Sequence, residues 1–275
     1  MLTDLAPDVL AAAIEQNGIE CCLSWAAWPE MALGRDDRMT WTITDIPFPF
    51  FNNVFNTRLP ENGIGSAIDR TIDRFRHRGV PAFWWTGPAT RPADLGRYLQ
   101  QEGLEHAFEA PAMAVDLQSL NEAMSLPGGF SIEEVVDTTG LRQWCSVMTP
   151  VYQFPDFAAE AWYRMLASLG LGAERPLRHF LARLDAKPVA TASLYFGAGV
   201  AGFSSIATLP DYRHRRIGTA LTVAVLQEAR RAGYRVATLF SSVMGQRMYR
   251  RIGFREYGKG ACYVWRPSNS DKVRS

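Results

Sequence analysis

The sequence predicts an α/β protein in which a mixed sheet carries helices on both faces. Three observations lead to this fold class. Short apolar strands alternate with amphipathic helices along the chain. Residues 203–254 form one ordered run of strand, basic turn, helix, strand and helix. The order of elements in the first part can also be laid over the second, which predicts two tandem copies of one plan.

The composition is that of a globular protein without an extreme charge. The 275 residues are 47% hydrophobic and 21% charged with a net charge of +1, so no nucleic-acid partner is expected. Because the four cysteines show neither zinc-site nor disulfide-framework spacing, no metal is expected, and a cytoplasmic location is the simpler interpretation. The start lacks a signal-peptide pattern and no apolar run nears the ~18 residues of a membrane span, so no membrane partner is expected.

The first elements are predicted from apolar periodicity and from glycine and proline positions. A helix is predicted over residues 5–16, with Gly18 as its stop. A strand is predicted over residues 39–46, where β-branched residues alternate. Residues 47–53 contain two prolines and predict a bend, and residues 54–58 predict an extended segment.

The next helix has the clearest pattern of the first part. Residues 64–78 place apolar side chains on one face, and Gly79 closes the helix. Residues 80–86 predict a short buried strand, whose tryptophan pair is more typical of a core than of an aromatic cage. A helix over 92–101 and a strand over 112–117 follow.

A set of matching positions supports the repeat. In the overlay, Gly63-Ile-Gly65 lies over Arg216-Ile-Gly218, Gly79 over Gly233, and Gly103 over Gly253. The alternative is that any two α/β units would align this well. Residues 119–129 are polar and end in Pro-Gly-Gly, which is typical of a linker. The predicted halves are residues 1–125, a degenerate copy, and residues 126–275, the copy that carries the basic turn.

The second half is predicted to begin with a strand and two helices that are joined by an aromatic loop. Two further strands then form a hairpin across the segment 185–188. The predicted bounds of these five elements are 130–136, 138–148, 157–169, 179–184 and 189–196.

A basic turn follows the strand at residues 203–208 and leads into an amphipathic helix. It reads Pro210-Asp-Tyr-Arg-His-Arg-Arg-Ile-Gly-Thr219. A helix N-terminus presents unpaired N–H groups and the positive end of the helix dipole. Together with three arginines, these groups predict a site for a phosphate-like anion. The alternative is a solvated basic helix cap or a weak nucleic-acid contact.

Two motifs in this half resemble those of the GCN5-related N-acetyltransferase (GNAT) family. The pyrophosphate motif of that family, Arg/Gln-x-x-Gly-x-Gly/Ala, is matched by Arg213-His-Arg-Arg-Ile-Gly218. Its later motif, Asn-x-x-Ala-x-x-x-Tyr-x-x-x-Gly-Phe, is matched by residues 242–254. The chain departs from the family at Arg216, Ser242 and Gly245, where glycine, asparagine and alanine are usual. The resemblance covers about half the chain and implies a GNAT-like fold, with two tandem GNAT-like halves as the expected organisation.

The resemblance also implies that acetyl-CoA is the cosubstrate, bound once per chain between splayed strands of the second half. The strand end would offer backbone groups to the pantetheine arm, and the turn would hold the pyrophosphate. The implied binding residues are Ile206, Ala207, Thr208, Arg213, His214, Arg215, Arg216, Ile217, Gly218, Thr219 and Ser242. A side chain at position 216 is tolerable where φ stays negative.

Tyr249 matches the proton donor to the departing thiolate in this family, and the alternative is an aromatic side chain that only packs. Many family members place a glutamate on the strand before the turn. Here Ser204 and Ser205 stand there, and they could hold a water that relays the proton. The acceptor could otherwise arrive neutral. Only about 1 in 2,500 molecules of an alkylamine is neutral at pH 7, so deprotonation costs about 4–5 kcal/mol.

The expected reaction is transfer of an acetyl group to a primary amine of a small molecule. Direct attack in a ternary complex is expected because no cysteine lies in either motif. Tyr152, Phe154 and Tyr195 are expected to line the acceptor side, which favours an acceptor with a hydrophobic portion. The alternatives are a non-catalytic sensor of coenzyme A or acyl-CoA, and acylation of a hydroxyl or a peptide amine. The expected assembly is a monomer or a homodimer.

Overall fold

The computed structural model describes residues 1–122 and 128–267. Strands and helices alternate along the chain, which confirms the predicted mixed α/β class. The helices are α1 (Pro7–Ser24), α2 (Ile64–Arg76), α3 (Leu95–Gln101), α4 (Thr138–Val151), α5 (Asp156–Leu169), α6 (Ile217–Arg231) and α7 (Gln246–Ile252). The strands are β1 (Ala32–Arg35), β2 (Thr40–Ile43), β3 (Asn53–Phe55), β4 (Ala82–Thr86), β5 (Glu105–Asp116), β6 (Phe130–Glu134), β7 (Leu177–Leu184), β8 (Lys187–Gly197), β9 (Val200–Thr208), β10 (Val236–Phe240) and β11 (Arg255–Trp265).

The chain folds into two compact units, and each unit takes residues from both of the expected halves. Unit 1 contains residues 1–21 and 112–257, and unit 2 contains residues 22–111 and the chain from 258 onwards. Strand pairing explains this exchange. The end of β5, residues 112–116, pairs with β10 in unit 1, and the end of β11, residues 261–265, pairs with β4 in unit 2. A functional division at residue 125 remains a prediction.

The sheet of unit 1 follows the strand order β5, β10, β9, β8, β7, β6. On one face α6 packs Ile217, Leu221 and Val225, which recur every four residues, into the main core. On the other face Trp144 of α4 lies against the buried His179 of β7, with 4.8 Å between ring centroids. Both faces of this sheet are therefore covered by helices, as the fold class requires.

The sheet of unit 1 opens between β9 and β10. These strands are parallel, and within the described residues their ladder contains only the pairs Ala201–Ala237 and Gly202–Thr238. Beyond Gly202, β9 continues to Thr208 and pairs only with β8. A cleft therefore begins at the carboxyl ends of these two strands, which is where α/β sheets commonly bind ligands.

The sheet of unit 2 follows the order β1, β2, β3, β4, β11. Its core contains Ile68 and Phe75 of α2, Leu95 of α3 and the fully buried Trp84, which confirms the core assignment of that tryptophan. The parallel pair β3–β4 is as short as β9–β10, with register pairs Asn53–Phe83 and Val54–Trp84.

The two copies of the plan also share their backbone signature. Positive φ angles occur at all three overlaid pairs: Gly63 (81°) with Arg216 (61°), Gly79 (64°) with Gly233 (88°), and Gly103 (84°) with Gly253 (119°). Such angles favour glycine because a Cβ is strained there. The shared angles support two copies of one plan, with an arginine in the second copy where the first has glycine.

Some predicted bounds were wrong. Helix α1 does not stop before Gly18 but runs through it to Ser24. A Cβ at Gly18 would lie 3.1 Å from the Phe240 ring, so this glycine allows close packing within a helix. Strand β1 was not predicted, and β5 begins at Glu105 rather than at residue 112. Residues 123–127 of the predicted linker lie outside the described residues.

Candidate functional site

The basic turn of unit 1 connects β9 to α6 through a short 3-10 turn at Pro210–Tyr212. His214 and Arg216 have left-handed backbones, with φ of 64° and 61°. The condition under which a side chain at position 216 is free of strain, a negative φ, is therefore not met. The chain reverses direction sharply before α6. At position 216, where the family motif usually has glycine, the backbone has a conformation that glycine would adopt without strain. A side chain in this region costs about 1–2 kcal/mol.

The turn presents a continuous run of unpaired backbone donors. Among the described residues, no acceptor receives a hydrogen bond from the amides of residues 214–219, and the first paired amide is that of Ala220, which donates to Arg216 O. The run includes the free N–H groups of the first turn of α6, where the positive end of the helix dipole lies. Six neighbouring donors of this kind form a cradle for an anion.

The side chains of the turn add positive charge to this cradle. Arg213 is half-buried and its Nε donates to Thr208 O at 3.2 Å, which holds the turn against the end of β9. The Arg215 guanidinium lies 5.4 Å from the centroid of the Tyr212 ring. No carboxylate of the described part of the chain pairs with Arg213, Arg215 or Arg216. The turn is therefore suited to a polyanion such as a pyrophosphate.

A β-bulge shapes the wall of the cleft on β9. The β8–β9 register shifts between Thr191 and Ser193, and Ser205 takes a left-handed backbone with φ of 52°. The Thr191 hydroxyl donates to Ser205 O at 3.0 Å and so stabilises the bulge. Beyond it, the edge of Ile206–Thr208 that faces away from β8 has no strand partner among the described residues. Its backbone groups are available to a bound molecule.

Tyr249 of α7 is buried in the main core of unit 1. Its ring packs edge-on against Phe254, with centroids 5.6 Å apart. A Cβ added at Gly245 would lie 2.6 Å from Tyr249 Cε2, so glycine leaves the space that this ring occupies. Burial raises the pKa of the Tyr249 phenol far above its usual range, and the neighbouring Tyr152 raises it further. The phenol is therefore a neutral hydrogen-bond donor at pH 7.

Tyr152 ends α4 and reaches the bulge of β9. Its hydroxyl donates a long hydrogen bond of 3.4 Å to Ile206 O. Although 41% of the residue is exposed, burial of its hydroxyl end raises the pKa of Tyr152 to about 12, and the charge that Tyr152 would carry when ionised contributes to the raised pKa of Tyr249. The structure thus brings together Tyr152, Tyr249 and the free edge of β9.

The other residues predicted for the acceptor side lie elsewhere in unit 1. Phe154 packs edge-on against Trp162 of α5, with centroids 5.9 Å apart. Tyr195 is buried and lies opposite Gly202 in the β8–β9 ladder. Four residues separate Gly202 from Ile206, which corresponds to about 13 Å along a strand. Tyr195 is therefore not brought together with Tyr152.

Ser242 and Ser204, which were predicted as site residues, lie in different surroundings. The Ser242 hydroxyl accepts a hydrogen bond from Gly245 N at 3.2 Å, so this side chain supports the start of α7. Ser204 is exposed on β9 opposite Ser193, whose hydroxyl lies 2.8 Å from His179 Nδ1. The alignment of Ser204, Ser193 and His179 in one row across three strands was missed in the sequence, because serine and histidine on separate strands form no motif. The register of three strands reveals it.

The matching helix start in unit 2 differs in a decisive respect. Gly63 and Gly65 begin α2, but a Cβ at Gly65 would lie 2.5 Å from Glu102 Oε1. A carboxylate of the chain therefore lies against this helix start. In the described residues, no three His, Cys, Asp or Glu side chains cluster as a metal site would require.

Comparisons with known proteins agree with this architecture. Residues 175–256 match the profile of the "Acetyltransferase (GNAT) domain" family, which confirms the resemblance found in the motifs. A GCN5-related N-acetyltransferase from Kribbella flavida is similar over 90% of this chain and 95% of its own, with 17% identity and a TM-score of 0.67. A GCN5-related N-acetyltransferase from Sphaerobacter thermophilus is similar over 96% of this chain and 95% of its own, with 18% identity and a TM-score of 0.64.

A tandem GNAT protein of the clavulanic acid biosynthesis pathway is similar over 98% of both chains, with 15% identity and a TM-score of 0.59. These likenesses show the fold, and they extend it to the N-terminal half. A comparison with curated protein sequences found no match. No helix in the described ranges has the length and apolar character that crossing a membrane requires.

Proposed function

We propose that this chain, whose residues 175–256 carry a GNAT acetyltransferase domain, transfers an acetyl group from acetyl-CoA to a primary amine of a small molecule. Residues 126–275 would be the catalytic half and residues 1–125 a degenerate copy. The observation that carries the proposal is the run of six unpaired amides at 214–219, directly after a strand that has separated from its parallel neighbour. This combination is suited to a pyrophosphate with an extended arm attached.

The residues of the cleft fit acetyl-CoA. The amides of the turn and the arginines Arg213, Arg215 and Arg216 would hold the pyrophosphate by charge-assisted hydrogen bonds. The free edge of Ile206–Thr208 would pair with the amide groups of the pantetheine arm. Acetyl-CoA supplies the activated acetyl thioester when it is bound. The carboxylate beside Gly65 in unit 2 would repel a pyrophosphate there, which supports one site per chain.

The chain would supply three functions to the reaction. Backbone N–H groups on the free edge of β9 would stabilise the negative charge that develops on the carbonyl oxygen. The neutral phenol of Tyr249 would give a proton to the departing sulfur. Tyr152, at the bulge, would border the space in which the acceptor nitrogen approaches.

The proposal is tested by measuring acetyl-CoA binding and thiol release on the same protein. Calorimetric titration with acetyl-CoA should show one site per chain, and a panel of small primary amines should release thiol above the uncatalysed rate. No binding would refute the assigned site. Binding without transfer to any amine would favour the alternative of a non-catalytic acyl-CoA sensor, and transfer only to alcohols or peptide amines would change the acceptor class.

A further inference from the structure

The proton balance of the proposed reaction depends on the form in which the acceptor nitrogen arrives. A neutral amine attacks the thioester carbonyl carbon with its lone pair, and the carbonyl π pair moves to oxygen. The carbon–sulfur bond then breaks, the sulfur takes the Tyr249 proton, and the new amide nitrogen returns one proton to Tyr249. This sequence closes without a further base. An ammonium ion brings one additional proton, which needs an acceptor in the site.

The strands that form the walls of the cleft carry no carboxylate for that proton, and the basic turn carries Asp211, which is exposed and lies three residues beyond the end of β9. The strands β8, β9 and β10 and the helices α4 and α7 contain no aspartate or glutamate. Helix α6 contains only Glu228, which pairs with Arg231 near the far end of the helix. On α5, which packs against α4, Glu160 is bonded to Arg142 at 2.7 Å and Asp156 is exposed.

The side chains of these elements that could otherwise take up a proton or a charge are kept neutral by burial. Burial raises the pKa of the Cys145 thiol on α4 to about 12, and burial of the hydroxyl end of Tyr152, a residue that is 41% exposed, raises the pKa of that phenol to about 12. Neither group is therefore an anion that could accept a proton at pH 7. The charged side chains of α7 are Arg247, Arg250 and Arg251, which add positive charge.

The imidazole behind Ser204 is equally unsuited to accept the proton. His179 Nδ1 lies 2.8 Å from the Ser193 hydroxyl, and Ser193 is opposite Ser204 in the β8–β9 ladder. Burial lowers the pKa of His179 to about 4. This row of side chains therefore offers hydroxyl groups that orient a nitrogen or a water, but no base of sufficient strength.

Resting on the proposed function, we infer that the acceptor enters as a neutral, weakly basic amine of the hydroxylamine-ether, hydrazide or arylamine class, and not as an alkylammonium ion. Such amines are neutral at pH 7, so no proton has to be removed before attack. An alkylamine with the basicity of lysine is neutral in only about 1 of 2,500 molecules at that pH. The arginines around the cleft also disfavour entry of a cation.

The inference is tested with two probes of the same shape. They differ at one position between the benzyl CH2 and the NH2 group, where O-benzylhydroxylamine has an oxygen and 2-phenylethylamine has a methylene. Only O-benzylhydroxylamine is weakly basic. With the full chain and saturating acetyl-CoA, thiol release should be measured from pH 6 to 9 and corrected for the uncatalysed rate. We expect kcat/KM to be level for O-benzylhydroxylamine and to rise about tenfold per pH unit for 2-phenylethylamine.

A matched pair of variants examines the missing base directly. Ser204 is exposed on β9 next to the left-handed Ser205, so Ser204→Glu adds a carboxylate beside the bulge, and Ser204→Gln adds the same volume without charge. We expect Ser204→Glu to raise kcat/KM for 2-phenylethylamine at pH 7 at least about tenfold. Ser204→Gln should not raise it.

The outcomes separate this inference from the proposed function. A level pH profile for 2-phenylethylamine in the wild-type chain, or preference for it at pH 7, would overturn the neutral acceptor while acyl transfer stands. Transfer to neither probe nor to any amine of the panel would overturn both. An equal gain from Ser204→Glu and Ser204→Gln would show that volume rather than a base limits alkylamines, and would overturn the inference.

Discussion

Arg216 offers the sharpest test of the turn geometry, because a glycine there should stabilise the protein. Its φ of 61° costs a non-glycine residue about 1–2 kcal/mol. Glycine adopts this angle freely but adds about 0.5–1 kcal/mol of conformational entropy to the unfolded chain. The balance predicts that Arg216→Gly raises the free energy of unfolding by about 0.5–1 kcal/mol. For a domain of this size, Tm should rise by about 1–4 °C.

The same substitution should weaken acetyl-CoA binding. It removes one of the three unpaired arginine charges at the turn. An exposed charge pair contributes up to about 1 kcal/mol, so Kd should rise about two- to fivefold. Stability and affinity should therefore change in opposite directions.

The matched control is Arg215→Gly, which removes the same charge from the adjacent position. Arg215 does not have a positive φ, so glycine there should lower the free energy of unfolding by about 0.5–1 kcal/mol. Both variants are compared by thermal unfolding without ligand and by titration with acetyl-CoA. A fall in Tm for Arg216→Gly, or an equal change in both variants, would refute the left-handed backbone at position 216.

Four further predictions concern the cleft and its support. Gly245→Ala should lower kcat about tenfold or more, because its Cβ would lie 2.6 Å from Tyr249 Cε2 and displace that ring; unchanged kcat would contradict this packing. Tyr249→Phe should lower kcat at least about 100-fold with little change in acetyl-CoA Kd, and retained turnover would exclude Tyr249 as the acid. Arg213→Ala should weaken acetyl-CoA binding by about 1–3 kcal/mol, whereas Arg231→Ala at the far end of α6 should not. Burial lowers the pKa of His179 from 6.5 to about 4, so between these pH values the unfolded chain binds a proton that the folded chain does not. The free energy of unfolding should therefore decrease by about 3 kcal/mol as the pH is lowered through this window. In His179→Gln this part of the pH dependence should disappear from urea unfolding curves.

Part of the site was predictable because it depends on consecutive residues. The turn after β9 and the start of α6 lie within one stretch, and a strand that leads through arginines into an amphipathic helix predicts an anion site locally. Tyr249 was singled out by the resemblance of residues 242–254 to the later GNAT motif. In contrast, the left-handed backbone at Arg216 was not predicted, because φ at that position is set by the reversal of the chain and not by the side chain.

Other features depend on residues that are distant in the sequence. The contact between Tyr152 and Ile206 joins α4 to β9 across 54 positions, and no periodicity predicts it. The same applies to His179, Ser193 and Ser204, which are aligned only by the register of three strands. The purpose of Gly245 was also hidden, because it becomes clear only when the ring of Tyr249 is placed over it.

The sequence by itself determined the α/β class, the tandem plan and the position of the basic turn, because these follow from local periodicity and from glycines at left-handed positions. Only the tertiary structure decided that each unit is completed by a strand from the other half of the chain. It also decided which side chains share the cleft. The physical reason is that strand pairing and burial join residues far apart in the chain, and these interactions set both the neighbours and the charge of each group.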